Sequence, residues 1–257
     1  MSLTRAALRF AAPLPRIEDF RRYLFIGPHP DDIEIGAGAT AAKLAAMGKE
    51  ICFLICTDGR FGDAYLPAGS SAEELAATRQ EEARCSAALL GVGDVRFLGL
   101  SDGGLYEPEA LRRGVAGVIG DFEPELIFAP DPRVSSECHA DHLNVGEAAM
   151  RLSYFAPYPG IMAGYGAKAA PVKAIALYMT AKPNRYVKTT GLLKKQLEAV
   201  FSCHKSQFPA GCSEAKAISL YLKLRSADNG LRSLKGAAEG FRVLGVTQMH
   251  CLPEAGA

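Results

Sequence analysis

Apolar runs and helix-like segments alternate through the first half of the chain. Tyr23–Gly27, Ile51–Thr57, Val95–Leu100 and Glu125–Pro130 are dominated by apolar residues, and each reads as a buried strand. Between them, Ala39–Met47 is rich in Ala and Leu and stops at Gly48, and Ser71–Leu90 is built of strong helix formers and stops at Gly91. Strand–helix alternation of this kind predicts a parallel sheet joined by right-handed crossovers. Helices then cover both faces, which explains why the strands are apolar throughout and do not alternate. The expected fold is α/β, a Rossmann-like three-layer sandwich with a mostly parallel sheet.

Beyond His142 the pattern predicts helix over Leu143–Phe155, a Gly- and Pro-rich irregular stretch over Ala156–Pro171, and a strand over Ala174–Thr180. Helical segments follow near Thr189–His204 and Ser213–Arg225. The irregular stretch is expected to form a loop over a site, as is Tyr65–Ser71. No internal repeat, low-complexity tract or linker divides the chain. It reads as one domain over residues 1–257, with residues 1–20 as an N-terminal extension.

Composition narrows the class of partner. The chain has 29 basic and 28 acidic side chains, a formal charge of +1, so no large electrostatic term favours nucleic acid or an anionic membrane surface. There is no secretory h-region and no apolar run of membrane-spanning length. The expectation is a cytoplasmic protein with a small-molecule substrate, with a homo-oligomer left open. Seven cysteines without zinc-finger spacing read as reduced thiols, several of them within apolar runs.

In an open α/β sheet, ligands bind outside the carboxyl ends of the strands. Here those ends are polar: Gly27-Pro28-His29-Pro30-Asp31-Asp32, Thr57-Asp58-Gly59-Arg60, Ser101-Asp102-Gly103-Gly104 and Asp131-Pro132-Arg133. Adjacent carboxylates beside an imidazole at a buried strand end are costly when dry and unpaired, and a bound cation removes that cost. A second cluster, His139-Ala140-Asp141-His142, leads into a helix. Two imidazoles and one carboxylate make a hydrolytic zinc set with a fourth position left for water. As isolated histidines, His29 and His142 would read as ordinary caps. Their occurrence in two Asp-containing clusters, in a chain with 5 histidines, favours a metal site.

His29-Pro30-Asp31-Asp32 with Glu34, then Arg79-Gln80-Glu81-Glu82, then His139-Ala140-Asp141-His142, resemble the PIG-L/LmbE-like family of zinc-dependent N-deacetylases. The resemblance spans about Tyr23 to Val243. It implies that His29, Asp32 and His142 hold Zn2+ or another divalent metal, and that Asp31 acts as general base. It also implies that a protonated His139 stabilises the tetrahedral intermediate or protonates the leaving amine, and that Asp141 orients His139. Arg79 and Asp102 match positions that contact substrate in some members, while Arg60 is a candidate from its place after the second strand. The chain departs from the pattern at Ser136-Glu137-Cys138, where some members carry a tyrosine, and at Gly38-Ala39, where two glycines are common. The implied reaction is removal of an N-acyl group, acetyl above all, from an amino sugar or its conjugate. Two alternatives stay open: an amidase of a non-sugar acylated amine, and a metal-dependent binder that does not hydrolyse.

Weaker signals carry less. Glu34-Ile35-Gly36-Ala37-Gly38 lacks the third glycine of a dinucleotide loop and reads as a helix-entry turn. His204–Phe208 reads as a helix end packed by Phe208, and Glu239 either reaches the pocket or pairs with an arginine. His250 and Cys251, near the end of the sequence, are expected to have no catalytic role.

Overall fold

The computed structural model describes residues 11–65 and 69–250. Half of the expected N-terminal extension, the middle of Tyr65–Ser71 and Cys251 lie outside the described residues. The strands are β1 (Arg22–Gly27), β2 (Glu50–Thr57), β3 (Asp94–Leu100), β4 (Leu126–Pro130), β5 (Ala174–Tyr178), β6 (Arg185–Lys188) and β7 (Ala238–Gly245). Among the described residues they form one seven-stranded sheet in the order β3-β2-β1-β4-β5-β7-β6. The first five are parallel, and β7 runs antiparallel to both β5 and β6.

Seven helices accompany them among the described residues: α1 (Asp32–Ala46), α2 (Ala72–Leu90), α3 (Pro108–Phe122), α4 (Ala140–Phe155), α5 (Pro159–Gly164), α6 (Leu193–Glu198) and α7 (Ser213–Ser233). α6 runs on into a π-helical turn at Ala199–Cys203. The period-2 geometry of a strand sends alternate residues to opposite faces. Tyr23 and Phe25 therefore pack with Phe53, Phe128 and the α1–α2 side, whereas Leu24 and Ile26 pack with Leu54, Ile127 and the α3–α4 side. The result is the expected three-layer sandwich. Phe25 stacks on Phe128 with ring centroids 4.1 Å apart, and truncating such a side chain costs about 3–5 kcal/mol.

The four early strands and α2 lie where the apolar pattern predicts them. Ser71 caps α2 by accepting from the Glu74 N–H, and Gly91 ends it at φ 92°. α1 differs: it starts at Asp32, inside the motif, and is broken at Ala37 (φ −152°). Gly36 and Gly38 weaken its helical signature, but Gly36 is needed because a Cβ there would run into the Tyr178 ring.

Three expectations are corrected. Ala156–Pro171 contains α5 and does not cover the crevice. It packs through Met162 and Ala170 on the α3–α4 side, and the Lys168 backbone lies against Gly120 near the end of α3, just before β4 begins. α7 runs to Ser233, well past Arg225. Cys85 and Cys203 are not free thiols: α2 and the π-helical turn bring them together in a disulfide with a Cα–Cα distance of 5.8 Å.

Candidate active site

β1 is flanked by β2 on one side and β4 on the other, so the connections leaving β1 and β4 part in opposite directions. Such a switch point opens a crevice at the carboxyl ends of the strands. The turn after β1 is pinned by Asp32, whose Oδ2 accepts from the His29 N–H at 2.9 Å and lies 3.0 Å from His29 Nδ1. Asp31 has a left-handed backbone, φ 119°, which is rare for a residue with a Cβ. With Asp31 in this conformation, the two neighbouring carboxylates serve different partners. Asp32 faces the histidines, and Asp31 lies 3.4 Å from Arg79 Nη2.

Arg79 is buried, with 4% of its surface exposed. It donates to the carbonyls of Gly59 at 3.0 Å and Pro30 at 2.8 Å. The expectation that it contacts substrate is corrected: its guanidinium is spent inside the protein, fixing the Asp31 turn to the loop after β2.

The second cluster is set by the start of α4. His139 is the N-cap, its Nδ1 accepting from the Asp141 N–H at 3.3 Å, and Glu137 accepts from the His139 N–H at 2.8 Å. The Asp141 carboxylate is fully buried and accepts from the N–H groups of Gly103 at 2.7 Å and Gly104 at 2.8 Å. Those glycines sit at φ 77° and 76°, a conformation that turns both N–H groups toward one anion. Asp141 also lies 2.9 Å from His29 Nε2 but 3.7 Å from His139 Nδ1. Its link to His139 therefore runs through the backbone, and its carboxylate serves His29, which differs from the expected orienting role.

His142 Nε2 lies 3.4 Å from Asp32 Oδ2, while its Nδ1 is 3.1 Å from Glu137 Oε2. Ligand atoms of His29, Asp32 and His142 all fall within 4.8 Å of one another, as do those of His29, His139 and Asp141. Burial would lower His29, but Asp141 and Asp32 outweigh it and raise the ring to about 10. Burial likewise opposes the charged form of His142, and Asp32 raises it. Burial lifts the Asp31 carboxyl to about 6 against the pull of Arg79. Burial also acts to raise Asp141, but its hydrogen bonds from His29, Gly103 and Gly104 hold it at about 2. Negative charge is thus concentrated around two imidazoles, and the donor set fits a divalent cation. His139 is lowered by burial and by its imidazole neighbours, which opposes the protonated ring expected of it.

Of the remaining candidates, Asp102 is buried and accepts from the Phe61 N–H at 3.2 Å, and Arg60 pairs with Asp58 at the loop after β2. Sequence reasoning missed a polar layer behind α1. Glu34 accepts from Ser86 Oγ and lies 3.5 Å from the buried His204. Glu239 neither lines the crevice nor pairs with an arginine. It accepts from the N–H groups of Ala39 at 3.2 Å and Thr40 at 2.7 Å, capping the second part of the broken α1, and from Gln196 at 2.9 Å. The adjoining Gly38-Ala39 step was the available signal, because a helix restarting there needs an acceptor for its free N–H groups. No helix among the described residues is long and apolar enough to cross a membrane.

Comparison with known proteins agrees with this geometry. The PIG-L (GlcNAc-PI de-N-acetylase) family matches residues 24–153, which carry both histidine clusters. Diacetylchitobiose deacetylase of Thermococcus kodakarensis is 33% identical over 242 residues, covering 92% of this chain and 88% of that protein. A 1D-myo-inositol 2-acetamido-2-deoxy-alpha-D-glucopyranoside deacetylase of Kineococcus radiotolerans is 30% identical over 69% of this chain, which spans only 56% of that longer relative. The solved N,N'-diacetylchitobiose deacetylase of Pyrococcus horikoshii, an inhibitor complex, superposes with a TM-score of 0.86 at 31% identity over 98% of this chain and 97% of its own. The chain belongs to the PIG-L family of LmbE-like proteins.

Proposed function

We propose that this chain is a metal-dependent N-deacetylase that removes acetyl from an amino sugar or a short amino-sugar conjugate. The observation that carries the reading is the convergence of His29, Asp32 and His142 beside a carboxylate, Asp31, that has its own separate partner. The substrate class follows the names of the two most extensive relatives, which act on acetylated chitobiose.

His29, Asp32 and His142 would hold the ion, with zinc favoured by the two-imidazole, one-carboxylate donor set. When bound, such an ion supplies the positive charge that makes water acidic near neutrality and steadies a developing oxyanion. Asp31 takes the proton from the attacking water at its carboxylate. Arg79 keeps that carboxylate in place by gripping the turn on both sides of it. Glu137 steadies His142 from behind, at the position where some family members have a tyrosine. Asp141 fixes His29 and, through its N–H, the ring of His139, which faces the same space and serves the oxyanion or the leaving amine. Asp102 and Arg60 shape the sugar side of the crevice from the ends of β3 and β2.

The test is acetate release from N,N'-diacetylchitobiose and N-acetylglucosamine conjugates by zinc-loaded protein. Asp31→Asn should keep stoichiometric metal and lose roughly 10²–10⁴-fold in turnover. Full turnover by Asp31→Asn, or no acetate from any of these substrates with metal bound, would overturn the reading.

A further inference from the structure

Helix α7 is built inside out. The residues it buries against the body are Leu222, Ser226, Asn229 and Gly230, of which one is a large apolar side chain. Its other leucines face solvent: Leu220 is 58% exposed, Leu224 62% and Leu231 76%, and Leu234, directly after the helix, 95%. Ala217 and Ala227 are exposed on the same side. An ordinary surface helix puts its apolar stripe inward and its polar face outward. A contiguous exposed stripe of leucines marks an interaction surface.

The spacing says what kind of partner fits. Ala217, Leu220, Leu224, Ala227, Leu231 and Leu234 follow one another at intervals alternating between three and four residues, the a/d repeat of a helix that packs along another helix. The flanks point to a second copy of the same chain. Lys223 stands directly before an a position and Asp228 directly after a d position, five residues on. In two parallel copies this places Lys223 of each opposite Asp228 of the other, the pairing that sets orientation in parallel coiled coils. An antiparallel arrangement would instead set the two Lys223 flanks side by side. Asp228 is held only by an exposed contact of 3.6 Å to Arg232 on its own helix, which leaves its carboxylate accessible.

We propose that this chain self-associates through α7, two copies packing these helices in parallel about a two-fold axis along the Ala217–Leu234 seam. The interface is isologous, so every seam residue meets its own counterpart. It stands independently of the proposed reaction.

The experiment is sedimentation equilibrium on the full chain over a concentration series reaching about 100 µM, where an interface of modest size associates measurably. The expected result is a species of twice the 27.3 kDa chain mass, or a multiple of that dimer. Leu224→Glu with Leu231→Glu should halve the mass while leaving circular dichroism and Tm unchanged, because both positions are exposed. Lys223→Glu should weaken association roughly tenfold, and adding Asp228→Lys should restore it. Leu224→Cys should cross-link to itself on oxidation above the background of the unaltered chain, which parallel register requires. A chain that is monomeric throughout the series, an assembly that the double glutamate variant leaves intact, or a dimer that Leu224→Cys fails to cross-link would overturn the proposal.

Discussion

Residues 22–155 and residues 174–245 share one sheet, yet they place their buried polar groups in opposite ways. In the first stretch His29, Asp31, Asp32, Asp141 and His142 gather at the carboxyl ends of parallel strands, facing one crevice. In the second, Gln196, His204 and Glu239 turn inward and hold α1 from behind, through its carbonyls, Glu34 and the N–H groups at its break. The groups that meet the metal and the groups that fix their carrier thus come from different parts of the chain. The parallel half offers strand ends, and the half with the antiparallel strands offers side chains that cap a helix which could not otherwise be interrupted.

That division can be broken at three depths. The largest effect is expected at the front: His29→Ala should abolish stoichiometric metal by elemental analysis and lower acetate release by roughly 10³-fold or more. Between the layers, Arg79→Met should leave the Pro30 and Gly59 carbonyls and the Asp31 carboxylate without their buried partner. Stability in denaturant should fall by about 3–5 kcal/mol, and turnover of the still-folded fraction should fall with it while metal content holds.

At the back, Glu239→Gln should change turnover least. Its signature is in pH. Burial raises Glu239 from 4.5 to about 7, so the folded state binds a proton that the unfolded chain releases. The stability contributed by the protonated carboxyl is complete below about pH 4.5 and lost as pH rises through about 7. The Tm of the unaltered chain should therefore fall relative to Glu239→Gln between pH 5 and pH 8, by about 5 °C. A difference independent of pH would mean that the rear layer carries no titrating group.

The same division explains what the sequence could and could not convey. Strand ends are legible because a buried apolar run followed at once by His, Asp and Gly fits a ligand crevice and little else, and the two histidine clusters do converge. The start of α1 is hard to read because Gly36 and Gly38, required by the Tyr178 ring and the break, hide a helix that begins within the motif itself. β6 and β7 escape the pattern because their burial does not follow a clean alternation, with Ala238, Gly240 and Phe241 all buried. Arg79 resembles a substrate contact because its charge suggests a ligand, whereas its place on the inner face of α2 is a matter of tertiary packing. No local pattern announces that Glu137 stands behind His142 or that Gly103 and Gly104 hold Asp141, since each is a contact between a loop and another element.

The left-handed backbone at Asp31 bears on how the protein could be altered. A residue with a Cβ in that region costs roughly 1–2 kcal/mol, and glycine relieves the cost entirely. Asp31→Gly would make the turn easier to form while deleting the carboxylate that Arg79 holds. A laboratory screen of this chain for heat resistance alone would be drawn to glycine at position 31, trading the reaction for robustness, so such a screen needs an activity filter from its first round.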